Sequence, residues 1–246
     1  MKKYIKIVVL LYVSCGFSQE FGQNKVQYKD FDWNYIRSPH FDVYFYKQSS
    51  DLAKFTVNVS ENAYEQISKH LRWTIKKPIS IIVYNSHNDF QQTNVVDSYM
   101  FEGIGGVTEL YKNRIVIPFD ASNQEFKHVI HHELVHAFIN DSVYGGSLKN
   151  MVASSIKVQI PMWMNEGLAE YLSSGWDTNS EMWIRDLAIN GGEFPQIRQL
   201  TGYMAYRGGQ SVWNFITEKW GEESIAEIFY QLKKTNKFET GLKRAL

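Results

Sequence analysis

Large apolar residues recur along the chain with two different periods. Between Phe31 and Tyr46, "FDWNYIRSPHFDVYFY", they alternate with polar residues around Ser38-Pro39, which predicts two short strands joined by a turn. From Ser50 to Arg72 the spacing lengthens, and Leu52, Phe55, Val59, Ala63, Ile67 and Leu71 share one face of a helix. A strand at Ile79–Tyr84 follows Pro78, and in Gly103–Phe119 two β-prone runs flank Lys112-Asn113, the pattern of a hairpin. Ser122 and Glu125 have the spacing of a capping box, so a helix is expected to start there and run to about Asn140. Phe126, Val129, Ile130, Leu134, Ala137 and Phe138 would give that helix the apolar faces needed to bury it.

Beyond it, Asp141 to about Lys157 is polar and contains glycine, a loop pattern in which Leu148–Ile156 has room for a turn or more of helix. From Pro161 onward the periodicity is helical throughout. Helices are expected at Pro161–Ser174 (stopped by Gly175), Ser180–Ile189 (Gly191-Gly192), Gln210–Trp220 (Gly221), Glu222–Lys233, and from near Phe238. The expected fold class is therefore α+β: an α/β subdomain over residues 29–141 and a helical one over 161–246. The apolar face of the last helix, Phe238, Leu242, Ala245 and Leu246, has barely begun at the final residue, which reads as a chain cut from something longer.

Composition narrows the picture. With 246 residues, 44% of them apolar, the chain can supply a real core, and the 26 basic residues are balanced by 26 acidic ones with no long single-sign run. Neither nucleic acid nor an anionic membrane surface is indicated as a partner. The first eighteen residues have a basic start (Lys2, Lys3, Lys6), an apolar stretch from Ile7 to Val13 and small residues before Gln19, as in a secretory signal peptide cleaved after Ser18. The alternative is lipidation at Cys15, against which Tyr12 argues. Either route exports the protein, to the periplasm or the outer membrane, with no transmembrane segment once the signal is removed. Cys15 is the sole cysteine, so the mature chain must hold together without disulfides.

The chemistry is concentrated at "HHELVH", residues 131–136. His132 and His136 are four apart, so on a helix both imidazoles leave one face a turn apart, a separation that one zinc ion can bridge. Glu133 is angled toward the same face but off it, where a carboxylate can take a proton from water beside the metal. His128 lies one turn too early and His131 points elsewhere, so neither is expected to be a ligand. The third ligand of the elongated His-Glu-x-x-His-x-x-Gly-x-x-His pattern is missing, because Ile139 and Ser142 stand where Gly and His belong. Downstream, "PMWMNEGLAEYL" offers Glu166 and Glu170 one helical turn apart; one would bind metal and the other would accept a hydrogen bond from a ligand histidine.

His132-Glu133-Leu134-Val135-His136 together with Trp163-Met164-Asn165-Glu166-Gly167-Leu168-Ala169-Glu170-Tyr171 resembles the gluzincin zinc metallopeptidases. "FGQNKVQYKDFDW", "HNDFQQTNVV", "GVTELYKNRIVIPF" and "YRGGQSVWNF" look like the exported peptidase-MA-like proteins, whose domain is often followed by a TolB-type β-propeller. The resemblance implies a zincin, thermolysin-like fold with a small mixed sheet beside the zinc helix. It further implies Zn2+ held by His132, His136 and Glu166, Glu133 as general base, and Glu170 as the carboxylate behind a ligand histidine. Twenty-nine residues, 137 to 165, separate His136 from Glu166, a longer connection than in the best-known gluzincins, so Asp141–Ile160 is expected to be an insertion that covers or shapes the cleft.

Gly105-Gly106-Val107-Thr108-Glu109 falls where gluzincins place an edge strand that pairs with substrate, although a simple hairpin glycine pair fits the same letters. Thr108, and the lack of the aminopeptidases' Asn, depart from the aminopeptidase form of that strand. Tyr203, Tyr206 and Arg207 come where the family often has an oxyanion donor, and Tyr206 is the preferred candidate. The expected function is zinc-dependent hydrolysis of a peptide or protein substrate in the cell envelope. The alternative is a binding or scaffold module on the same architecture.

Overall fold

The computed structural model describes residues 25–47, 49–110, 112–145, 159–191 and 195–246. The signal segment with Cys15, and Leu148–Ile156, lie outside these residues. The alternating segments form a five-stranded mixed sheet. Its strands are β1 (Trp33–Arg37), β2 (Phe41–Tyr46), β3 (Ile79–Tyr84), β4 (Val107–Thr108) and β5 (Ile115–Pro118), in the order β1-β2-β3-β5-β4. The three central strands run parallel, while β1 and β4 pair antiparallel at the two edges. A parallel centre needs cover on both faces, and alternate residues supply it. Phe41, Val43, Ile79, Ile81, Val83, Ile115 and Ile117 face the main core, and Tyr46, Tyr84 and Val116 face a smaller one with Phe90 and Met100.

Helices α1 (Ser50–Leu71) and α3 (Asn123–Tyr144) cover the main-core face, and the single turn α2 (His87–Phe90) lies against the other. α3 begins as expected: the Ser122 hydroxyl accepts the Glu125 N–H at 3.2 Å. It runs four residues past Asn140, to Gly145 at φ 71°. The polar residues there find partners within the fold, so they do not break the helix. The Trp73 indole donates to the Asp141 carboxylate at 2.8 Å, and the Ser142 hydroxyl donates to the Ile139 carbonyl at 3.1 Å. Val143 is buried.

The second half comprises α4 (Met162–Ser174), α5 (Thr178–Asn190), a 3-10 turn (Ile197–Gln199), α6 (Tyr203–Trp220), α7 (Glu223–Thr235) and α8 (Phe238–Ala245). α5 starts at Thr178, earlier than Ser180, because the Asp177 carboxylate accepts the Ser180 N–H at 2.7 Å and caps it. α7 continues two residues past Lys233 and ends at Asn236 with φ 52°. The larger correction concerns α6, which starts seven residues before Gln210 and carries Gly208-Gly209 inside it. Those glycines mark close helix packing and do not stop the helix. A Cβ on Gly167 would lie 2.2 Å from the carbonyl carbon of Gly209, and one on Gly209 would lie 2.1 Å from the Trp163 carbonyl oxygen. α4 and α6 therefore touch backbone to backbone, locked by Trp213, whose indole donates to the Met164 carbonyl at 2.9 Å. Alanine is favoured over glycine inside a helix by about 1 kcal/mol. The overlap reverses that gain, and Gly167→Ala is expected to destabilise the protein by on the order of 3 kcal/mol in urea unfolding, a result that equal midpoints for variant and parent would refute.

Among the described residues no helix is long and apolar enough to cross a membrane.

Candidate functional site

α3 crosses the molecule between the sheet and α4. His132 and Glu133 are only 8% and 7% exposed, at the floor of a groove. Helical spacing sets the His132 and His136 rings 4.8 Å apart, with both Nε2 atoms 3.3 Å from one oxygen, Oε2 of Glu166 on α4. Ligands about 2.0–2.1 Å from a tetrahedral zinc are about 3.3 Å from one another. The donor set, two imidazoles and a carboxylate, and its spacing therefore fit such an ion, and these three ligand atoms all lie within 4.8 Å of one another.

Glu170, a turn further along α4, meets the other nitrogen: His132 Nδ1 is 3.0 Å from Glu170 Oε1. Nδ1 therefore donates to Glu170, and Nε2 faces Glu166. Glu170 also receives His128 Nε2 at 3.3 Å and Arg207 Nη1 at 3.2 Å, so the buried carboxylate is surrounded by donors. His128 is in turn tied to the Ser174 hydroxyl at 2.9 Å. His128, His132 and Glu170 form a second group with metal-ligand chemistry, but the Arg207 guanidinium already fills the positive role there. Burial works against a charged His132, yet its hydrogen bonds to Glu166 and Glu170 more than offset this and push it up to about 10. Burial is likewise overcome at the two glutamates, by hydrogen bonds from His132 and His136 to Glu166 and from His128 and His132 to Glu170, which hold both well below the usual carboxylate range. His131 points away: burial, with cationic neighbours, pushes it down to about 4, and its Nε2 finds no partner among the described residues.

Tyr206, in the first turn of α6, stacks on His132 with ring centroids 5.9 Å apart and planes 14° from parallel. Burial and the negative charge of Glu166, to which it is hydrogen-bonded, raise its hydroxyl far above the usual tyrosine value, so it stays a neutral donor. Tyr203 is 63% exposed and packs on Trp183 instead.

On the opposite wall, Gly106 and β4 lie directly over Glu133. A Cβ at Gly106 would be 3.0 Å from the Glu133 Cγ and 2.9 Å from the Ile117 Cγ2, so glycine is required here for close approach. The Thr108 hydroxyl reaches Glu133 Oε2 at 2.6 Å. That partner was not foreseen from the sequence, where Thr108 stood only as a departure from the aminopeptidase strand. β4 does form a hairpin with β5, closed by Glu109 N–H to the Arg114 carbonyl at 2.8 Å, with Asn113 at φ 55°. The groove has two halves that share Ile104, Gly106, His132, Glu133 and Tyr206, one of about 590 Å³ toward Asn140 and Tyr144 and one of about 600 Å³ toward His128 and Arg207. It thus extends to both sides of the His/Glu cluster.

A family model described as Peptidase MA superfamily matches residues 59–246. Comparison with curated proteins and with solved structures gives no match.

Proposed function

The chain belongs to the peptidase MA superfamily, and from that premise we propose that it hydrolyses internal peptide bonds with a zinc ion held by His132, His136 and Glu166. The observation that carries this reading is the meeting of three donors within 4.8 Å of one another, with the carboxylate oxygen 3.3 Å from each imidazole, beside a buried glutamate on the floor of a groove open in both directions. When bound, such an ion supplies Lewis-acid polarisation of a carbonyl and of water.

The chain's own groups divide the remaining work. Glu133 takes the proton of the attacking water and passes it to the departing amine. Tyr206, kept neutral by burial and by Glu166, donates a hydrogen bond to the oxygen on which negative charge develops. Glu170, anchored by Arg207 and His128, holds His132 in the tautomer that presents Nε2. Register places the open main-chain groups of β4 at Thr108: Glu109 bonds Arg114, so in the antiparallel ladder the Thr108 N–H and C=O face away from β5. An extended peptide can pair there. The groove runs to both sides of the cluster, which favours internal cleavage. The basic and apolar start of the sequence supports action in the envelope.

The test is metal analysis of the purified protein combined with cleavage of a diverse peptide library. We expect about one zinc per chain and internal cuts that stop on chelation and return with zinc. A protein that takes up no zinc refutes the proposal. One that binds zinc but cuts nothing favours a peptide-binding module.

A further inference from the structure

We propose that Thr108 is a positioning residue for Glu133, fixing which carboxylate oxygen takes the proton; this rests on the peptidase function proposed above. Thr108 Oγ1 lies 2.6 Å from Glu133 Oε2 and 3.0 Å from the Glu133 main-chain oxygen. The hydroxyl has one proton, and the shorter, charge-assisted bond to the carboxylate takes it. Oε2 is thereby held against β4 and made the less basic oxygen, which leaves Oε1 to act as the base. Two residues earlier on the same wall, Gly106 lets the backbone come close to that side chain: a Cβ there would lie 3.0 Å from the Glu133 Cγ. Glu133 is thus clamped between the edge strand and its own helix, with a rotamer set by β4.

The placement joins two tasks in one residue. The main-chain groups of Thr108 face the free sheet edge, where a peptide would add, while its side chain holds the base. A substrate aligned on β4 is therefore automatically aligned with Glu133, since both are referred to the same Cα. A buried carboxylate that loses this donor swings toward whatever other partner it can reach, and a misplacement of about 1 Å in a reacting group costs on the order of 100-fold in rate.

The experiment compares Thr108→Val, which keeps the shape and removes the hydroxyl, with Thr108→Ser, which keeps the hydroxyl, both in the zinc-loaded protein. Valine is expected to lower kcat by about 10-fold to 100-fold with KM little changed, and serine to restore most of it. A second readout uses the metal-free protein and needs no substrate. Thr108→Val should lower the melting temperature by about 3 °C or more when Glu133 is present, and by little in a Glu133→Ala background. Wild-type kcat in a folded Thr108→Val, or a folded Thr108→Ser no better than valine, overturns the positioning role. A melting loss that persists without Glu133 overturns the contact itself. Absence of any cleavage by the wild-type chain overturns the peptidase function and the catalytic part of this proposal with it, and the melting series tells that failure apart from a wrong contact.

Discussion

Glu133→Gln is expected to end peptide hydrolysis while leaving zinc in place. The substitution keeps the size of a side chain that is only 7% exposed, and the amide oxygen of glutamine can still accept the Thr108 hydroxyl, so the fold has no reason to respond. What is lost is the capacity to take a proton. General-base catalysis contributes about 100-fold to 10,000-fold, and since in the role proposed for it Glu133 would both take the proton and return it, a loss of on the order of 1,000-fold or more in kcat is expected. Glu133 is not among the residues grouped as potential metal ligands, so zinc per chain should match the parent. Cleavage assays normalised to measured zinc check this. A variant that keeps a tenth of the parental rate would remove Glu133 from the role proposed for it.

Glu166→Ala is the second large effect, and here the metal is the readout. Removing the one oxygen within 3.3 Å of both Nε2 atoms leaves two imidazoles, too few for a stable zinc site. Glu170→Ala instead removes a hydrogen-bond acceptor behind His132, and losses of that kind run to about 10-fold to 100-fold in affinity. Competition with a chelator should therefore show Glu166→Ala weaker than Glu170→Ala. The opposite order would mean that the third ligand is Glu170. Glu170→Ala should also unfold more easily, since it strands Arg207 and His128 without their carboxylate.

These two glutamates show where the sequence stopped speaking. Both follow from helical spacing as neighbours on one face of α4, and one turn of separation cannot say which reaches Nε2 and which reaches Nδ1 of the same ring. Only the crossing of α4 over α3 separates them, and that is a tertiary quantity. The strands, the α3 cap at Ser122 and the hairpin at Asn113 were legible because each depends on residues within a few positions of one another. The early start of α6 is hidden for the opposite reason: glycine is unfavourable inside a helix, and what places Gly208-Gly209 there is packing that includes contact of Gly209 with Trp163 and Gly167, some forty residues away. Thr108 belongs to the same class. Nothing near it in the chain announces that its hydroxyl will meet a carboxylate twenty-five residues downstream.

The glycine-to-glycine contact also bears on how the groove can breathe. Glu166 immediately precedes Gly167, and Tyr206 stands three residues before Gly209, so both sit next to a junction with no side chain in it to yield. The wall formed by these two helices is therefore expected to behave as one piece. Any gape that admits a bulky loop is then expected from the opposite wall, the 95–104 stretch ahead of β4 with its outward-facing Tyr99 and Phe101, which carries neither helix nor strand. Entry would thus be asymmetric: the wall with Glu166 and Tyr206 would keep its width, and the loop ahead of β4 would give way.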